Sequence, residues 1–482
     1  MSHAAQHWRV WMRFATWGAA SCVLAVLCCE LCSAHANEPS APAIPPHGIR
    51  AAAWAVELQA TDEMPIAGGL GPRTTTGQDG KLRAVATVLR DSAGSTVAFV
   101  SVDILMIGRS YLDAAASEIE RKTGIPFEHV LISCTHTHHA PATVKVHGCD
   151  VHEPFASHVQ EAIVRAVEGA VRRLPQSGEC RVRFAMAEEK TVGQNSRLLL
   201  SDGTIYWVGS RDDALRPTGP VDPQLPVIVV ERSTDGRLEA LIFGHSTHTI
   251  GTRNIGHRSP GFYGLAAQDL ESELGGTVLF LQGASGSTHL LGLDDLPFPQ
   301  AWVEAERRIR TVVRQAYDRA NTLPVHRIAS AKREIAVRVR QFDEQQEEEA
   351  VSRYCLKRID REPERYIANF RQMRREIAPY QGQERKTWIQ AVAIGEIAIV
   401  GVPAELFTVL GLEIKRRSPF KHTIIAELAN DHIGYVGDEP SYGLGGYQLW
   451  TGHHSWTEAG TGELIVQECV DLLAAVYGMN AE

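Results

Sequence analysis

Residues 84–89 and 96–105 are β-branched, apolar runs separated by Asp91-Ser92-Ala93-Gly94, which is hairpin chemistry. A helical stretch over 110–122 follows, stopped by Gly124, and then a third β run over 129–134. This alternation recurs along the chain. Val159, Ile163, Ala166, Val167, Ala170, Val171 and Leu174 repeat at helical spacing. Residues 225–231 and 238–244 read as a second hairpin across Ser233-Thr234-Asp235-Gly236, followed by a helix over 261–274 and a strand over 277–282. An amphipathic helix is expected over 299–323 and charged, exposed helix over 343–378. Strands are expected over 388–394 and 396–402, a helix over 404–417, a strand over 422–428 and a last helix over 462–477. Strands that alternate with helices, without internal repeats, predict an α/β fold: a single large domain with mixed β-sheets flanked by helices.

The first residues set the expected compartment. Arg9 and Arg13 precede an uncharged run over 15–29, and Ala34-His35-Ala36 offers a small-residue exit. These are the parts of a secretory signal peptide over 1–36. Residues 37–50, rich in Pro and Ala, form a flexible leader, and 51–482 remain as the folded domain. Export to the periplasm or medium follows, and an oxidising compartment permits one or two disulfides among Cys134, Cys149, Cys180, Cys355 and Cys469. Those five contain no C-x-x-C pair, which argues against a thiolate zinc site. A formal net charge of −9 gives no electrostatic case for nucleic acid.

Chemistry-bearing residues cluster just beyond strands. Thr135-His136-Thr137-His138-His139 follows the strand over 129–134, and alternation lets His136 and His138 face one pocket. His245 follows the strand over 238–244. Glu405 follows the strand over 396–402, and Tyr435 the strand over 422–428. Open α/β sheets bind ligands beyond the carboxyl ends of strands, and two His with a carboxylate are a catalytic zinc set. The expected metal site therefore lies at the C-terminal ends of strands. Gly283-Ala284-Ser285-Gly286-Ser287 also follows a strand, as a serine nucleophile does, but G-x-S-x-G requires Gly where Ser287 stands.

These segments, in order, resemble the neutral/alkaline non-lysosomal ceramidase family. THTHHAP at 135–141 is similar to its Thr-His-Thr-His-Ser-Gly-Pro, FGHSTHT at 243–249 to its Val-His-Pro-Thr-Ser, VPAE at 402–405 to its Val-Pro-Gly-Glu, and NDHIGY at 430–435 to its Asn-Asp-Tyr-Thr-His-Tyr. Ser101-Val102-Asp103 and Asn195-Ser196-Arg197 match further segments. The resemblance implies that zinc is bound by His136, His245, Glu405 and Tyr435. It implies that His138 and Tyr447 act in catalysis and that Arg197, or Ser196 beside it, contacts substrate. It further implies an exported zinc-dependent amidohydrolase that cleaves the amide of an N-acyl amine, a ceramide or ceramide-like lipid, with zinc-activated water. The substrate would be a small lipid met by peripheral membrane contact. Two departures stand out. The family's Gly-Asp-Val-Ser-Pro, whose Asp and Ser are associated with amidase activity, aligns with Gly286-Ser287-Thr288-His289, which makes His289 a second candidate proton carrier. The family's C-terminal immunoglobulin-like domain has no counterpart after the 462–477 helix. The alternatives are a non-catalytic zinc or lipid-binding relative and a serine hydrolase using Ser285.

Overall fold

Three sheets, each containing one parallel strand pair, form the frame of the molecule. The computed structural model describes residues 48–481 except 292, 294 and 295. The signal peptide expected over 1–36 and nearly all of the leader expected over 37–50 lie outside the described residues.

The first sheet joins Arg50–Glu57, Arg83–Arg90, Thr96–Val102 and Val130–Cys134, the last two in parallel. The second runs Thr277–Gln282, Leu238–His245, Gln224–Arg232, Cys180–Glu188 and Asn321–Leu323, with Leu238–His245 and Thr277–Gln282 in parallel. The third is Ile328–Arg338, Glu384–Ile394, Ile397–Gly401 and His422–Ala426, again closing on a parallel pair. The strands of the three parallel pairs are buried on both faces, so almost every residue in them is apolar. Phe99 and Leu131 of the first sheet, Ile228, Ile242 and Leu279 of the second, and Val392, Ile399 and Ile424 of the third share one core. The opposite face of each sheet carries its own helices. Arg109–Thr123 and Glu153–Arg173 pack on the first, Gly261–Leu274 and Gln300–Arg319 on the second, and Thr408–Arg417 and Thr461–Ala481 on the third. The fold is mixed α/β with sheets flanked by helices, as predicted.

Several boundaries differ from the sequence reading for tertiary reasons. The helix expected over 299–323 ends at Arg319, because Asn321–Leu323 pairs with Cys180–Glu188 as an edge strand. The charged stretch over 343–378 divides into Glu344–Arg358 and Pro363–Ile377, with proline at the start of the second helix where its missing N–H costs nothing. The helix expected from 404 begins at Thr408, since Glu405–Leu406 pairs in parallel with Tyr435–Val436. Cys134, Cys149, Cys180, Cys355 and Cys469 are all buried, and none forms the disulfides that an oxidising compartment permits. Among the described residues, no helix is long and apolar enough to cross a membrane.

The carboxyl ends of the three parallel pairs are stitched together. The Ser133 hydroxyl donates to Glu427 O (2.9 Å), the Glu427 N–H to Gln282 O (2.8 Å) and the Asn430 N–H to Ile132 O (2.8 Å). One strand end from each sheet thus opens on the same place.

Candidate metal centre

The chain leaves Val130–Cys134 and turns at His136, whose φ of 59° is left-handed. A non-glycine residue in that region costs of order 1–3 kcal/mol and persists only where its surroundings fix it. Here the His136 ring, 1% exposed, donates from Nδ1 to Leu105 O at 3.1 Å. His138 donates from Nδ1 to Gly68 O at 2.7 Å. His248, also buried, donates from Nδ1 to Ser285 O at 2.9 Å. A carbonyl can only accept, so each neutral ring carries its proton on Nδ1 and leaves the Nε2 lone pair free.

Those lone pairs converge. His136 and His138 bring their Nε2 atoms within 3.2 Å, and the ligand atoms of His136, His138 and His248 all lie within 4.8 Å of one another. Glu405, 2% exposed, places Oε2 3.2 Å from His136 Nε2 and 3.3 Å from His248 Nε2. Its carboxyl is held well below the usual range: burial opposes ionisation, but His136 and His248 outweigh it. The Tyr435 hydroxyl donates to His248 Nε2 at 2.8 Å. Electron-pair donors facing one another at this range require positive charge between them. A proton on His136 relieves one contact, whereas a divalent cation relieves all of them. A tetrahedral zinc bonded at ~2.0–2.1 Å holds its donors about 3.3 Å apart, which the separations of Glu405 Oε2 from His136 Nε2 (3.2 Å) and His248 Nε2 (3.3 Å) match. Imidazoles anchored through Nδ1–H to backbone carbonyls are the usual support of metal-binding histidines. The residues present fit such an ion.

His245 does not join this group. It is the last residue of its strand, in register with Gln282, and its ring is engaged elsewhere: Nδ1 lies 2.6 Å from Tyr263 Oη and Nε2 3.3 Å from Glu189 O. The residue that reaches Glu405 from this segment is His248, three positions further on. His136 likewise stands in the loop beyond its strand, and Glu405 opens the short strand Glu405–Leu406 that follows Ile397–Gly401. The FGHSTHT segment contains both histidines; the sequence reading selects His245, and the signal it passes over is that His248, like His136, lies beyond the end of its strand.

The remaining expected site residues divide. His289 stacks on His248 with ring centres 3.9 Å apart, and its Nδ1 lies 2.8 Å from Ser196 Oγ. Tyr447 stands 6.0 Å from Tyr435, ring to ring, sandwiched against Trp207 (4.4 Å, 1°) and His454 (5.2 Å, 19°), with its hydroxyl 3.3 Å from His147 Nε2. Arg197, expected to contact substrate, instead directs its guanidinium into the protein. It donates to Gln448 Oε1 (3.0 Å), Ser441 O (3.3 Å) and Gly445 O (2.7 Å), and so holds the segment that carries Tyr447. Ser285, the alternative nucleophile, is fully buried; its hydroxyl and N–H both donate to the Glu427 carboxylate, whose pKa burial pushes up to about 8.

No family model and no curated protein sequence matches the chain. Solved structures do. A ceramidase complexed with C2 superposes with a TM-score of 0.68 at 17% identity, covering 90% of this chain and 76% of that one. The neutral ceramidase from Pseudomonas aeruginosa superposes with a TM-score of 0.67 at 19% identity, covering 89% of this chain and 74% of that one. The sequence resemblance and the three-sheet frame thus agree, and the chain has the fold of the neutral ceramidases.

Proposed function

We propose that the protein is an exported zinc-dependent amidohydrolase that cleaves the amide of an N-acyl amine of the ceramide class. The observation that carries this reading is the convergence of the Nδ1-anchored imidazoles of His136 and His248 on Glu405. His136, His248 and Glu405 would hold the ion, with Tyr435 closing the set. Bound there, zinc supplies Lewis acidity that brings a water molecule's pKa toward 7 and polarises a carbonyl. Residues 51–482 would form the hydrolase domain and 1–36 the signal peptide.

The chain's own groups supply the rest. Burial, reinforced by His136 and His248, keeps the His138 pKa well below the ordinary value. His138 is therefore neutral, with Nδ1–H on Gly68 and a free Nε2 to take a proton from water and pass it to the leaving amine. Burial raises the Tyr447 pKa, so its hydroxyl stays protonated and can donate to the developing oxyanion. His289, braced by Ser196, fixes the plane of His248 and is the second proton carrier. Ser285 has no place in this scheme, since its proton is committed to Glu427.

The test is incubation of the zinc-loaded protein with ceramides and other N-acyl amines, with the products followed by mass spectrometry. Fatty-acid release that a chelator abolishes and a fluorophosphonate leaves intact is expected. Loss with the fluorophosphonate alone would return the serine reading. Full zinc occupancy with no release across the series would make this a binding protein.

A further inference from the structure

Glu427 follows the strand His422–Ala426 and is fully buried, with both carboxylate oxygens occupied. One accepts from the Ser285 hydroxyl, the other from the N–H groups of Ser285 (3.0 Å) and Leu406 (3.2 Å). Among the described residues, no lysine, arginine or histidine lies within ion-pair distance of it. Carboxylates buried elsewhere are answered directly: Glu231 faces Arg183, Glu239 faces Arg232, Asp222 faces Lys415 and Glu306 faces Arg253. A carboxylate taken out of water without a cation is costly, and the donors around Glu427 are all neutral.

The candidate metal centre lies one residue away on both sides. Leu406 follows Glu405, and Ser285 O accepts the Nδ1–H of His248 at 2.9 Å. The carboxylate thus holds the peptide beside one expected ligand and the residue that anchors another. Two neutral imidazoles, the Glu405 carboxylate and the Tyr435 phenol would set one negative charge against the two positive charges of a divalent ion. In a site this buried, the remaining positive charge needs an answering one nearby. Glu427 stands there, and its occupied oxygens are not free to act as a ligand.

We propose that Glu427 is the counter-charge of the metal centre and, through Ser285 and Leu406, positions His248 and Glu405. The inference rests on the metal reading above, so the test must let the two fail separately. Zinc affinity is measured by competition with a chromophoric chelator, and stability by chemical denaturation of the zinc-free protein, for the wild type, Glu427→Gln and Glu427→Asp. Glutamine keeps the shape and loses the charge; aspartate keeps the charge and leaves a small void. Glu427→Gln should weaken zinc by about 10- to 100-fold, the usual scale for a residue that supports metal ligands, while zinc-free stability stays close to that of the wild type. Glu427→Asp should be the less stable variant and yet bind zinc more tightly than Glu427→Gln. Zinc affinity that instead follows stability, or that equals the wild type in Glu427→Gln, would overturn the proposal and leave the metal centre standing. A wild type that binds no zinc would overturn the metal reading and the proposal with it.

Discussion

Replacing His248 by alanine is expected to empty the metal centre and to lower amide hydrolysis by on the order of 10³-fold, the scale of losing a Lewis acid's several kcal/mol of charge stabilisation. The same change at His245 should leave zinc in place. The contrast follows from what each ring touches. His248 Nε2 stands 3.3 Å from Glu405 and its Nδ1–H is tied to Ser285 O, so its loss opens one side of the donor cluster. His245 is 3% exposed and bonded to Tyr263 and Glu189 O, away from Glu405. Its removal should cost about 1–3 kcal/mol of stability through partners left unpaired. Elemental analysis of the two purified variants, with chemical denaturation, checks both. Zinc retained in His248→Ala and lost in His245→Ala would reverse the assignment.

Arg197→Ala should be the most destabilising single change near the site, by about 3–5 kcal/mol. The side chain is 1% exposed, and burial lowers its pKa to about 10. No carboxylate among the described residues forms an ion pair with it. Its charge is spread over the Ser441 and Gly445 carbonyls and the Gln448 amide, with the Phe407 ring 4.9 Å away. Truncation removes these donors together and leaves a cavity beneath the Gly445-Gly446-Tyr447 segment. The Tyr447 hydroxyl would then lose its fixed position, so kcat should fall while zinc content holds. Thermal unfolding and elemental analysis on one preparation separate this from direct substrate contact, which would raise KM and spare stability.

Much of this was legible in the sequence because the chemistry sits where chain direction is most constrained. The hairpins and the strand Thr277–Gln282 follow from β-branched runs and turn residues. The THTHH and VPAE segments announce themselves as loops beyond strands. What was not legible depends on contacts across the three sheets. His245 and His248 lie in one short segment, and only the register of Leu238–His245 with Thr277–Gln282 decides which ring turns inward. Arg197 looks like a substrate contact until the 441–448 segment folds over it. Ile328–Arg338 and Cys180–Glu188 are interrupted by charge on their exposed positions, and they become strands through pairing with Glu384–Ile394 and Gln224–Arg232.

The most direct measurement is a crystal of the zinc-loaded protein with diffraction recorded at the zinc absorption edge. A single strong anomalous peak is predicted within bonding distance of His136 Nε2, His248 Nε2 and the Glu405 carboxylate. A peak seated on His245, or none between His136 and Glu405 in protein that analyses for stoichiometric zinc, would contradict it.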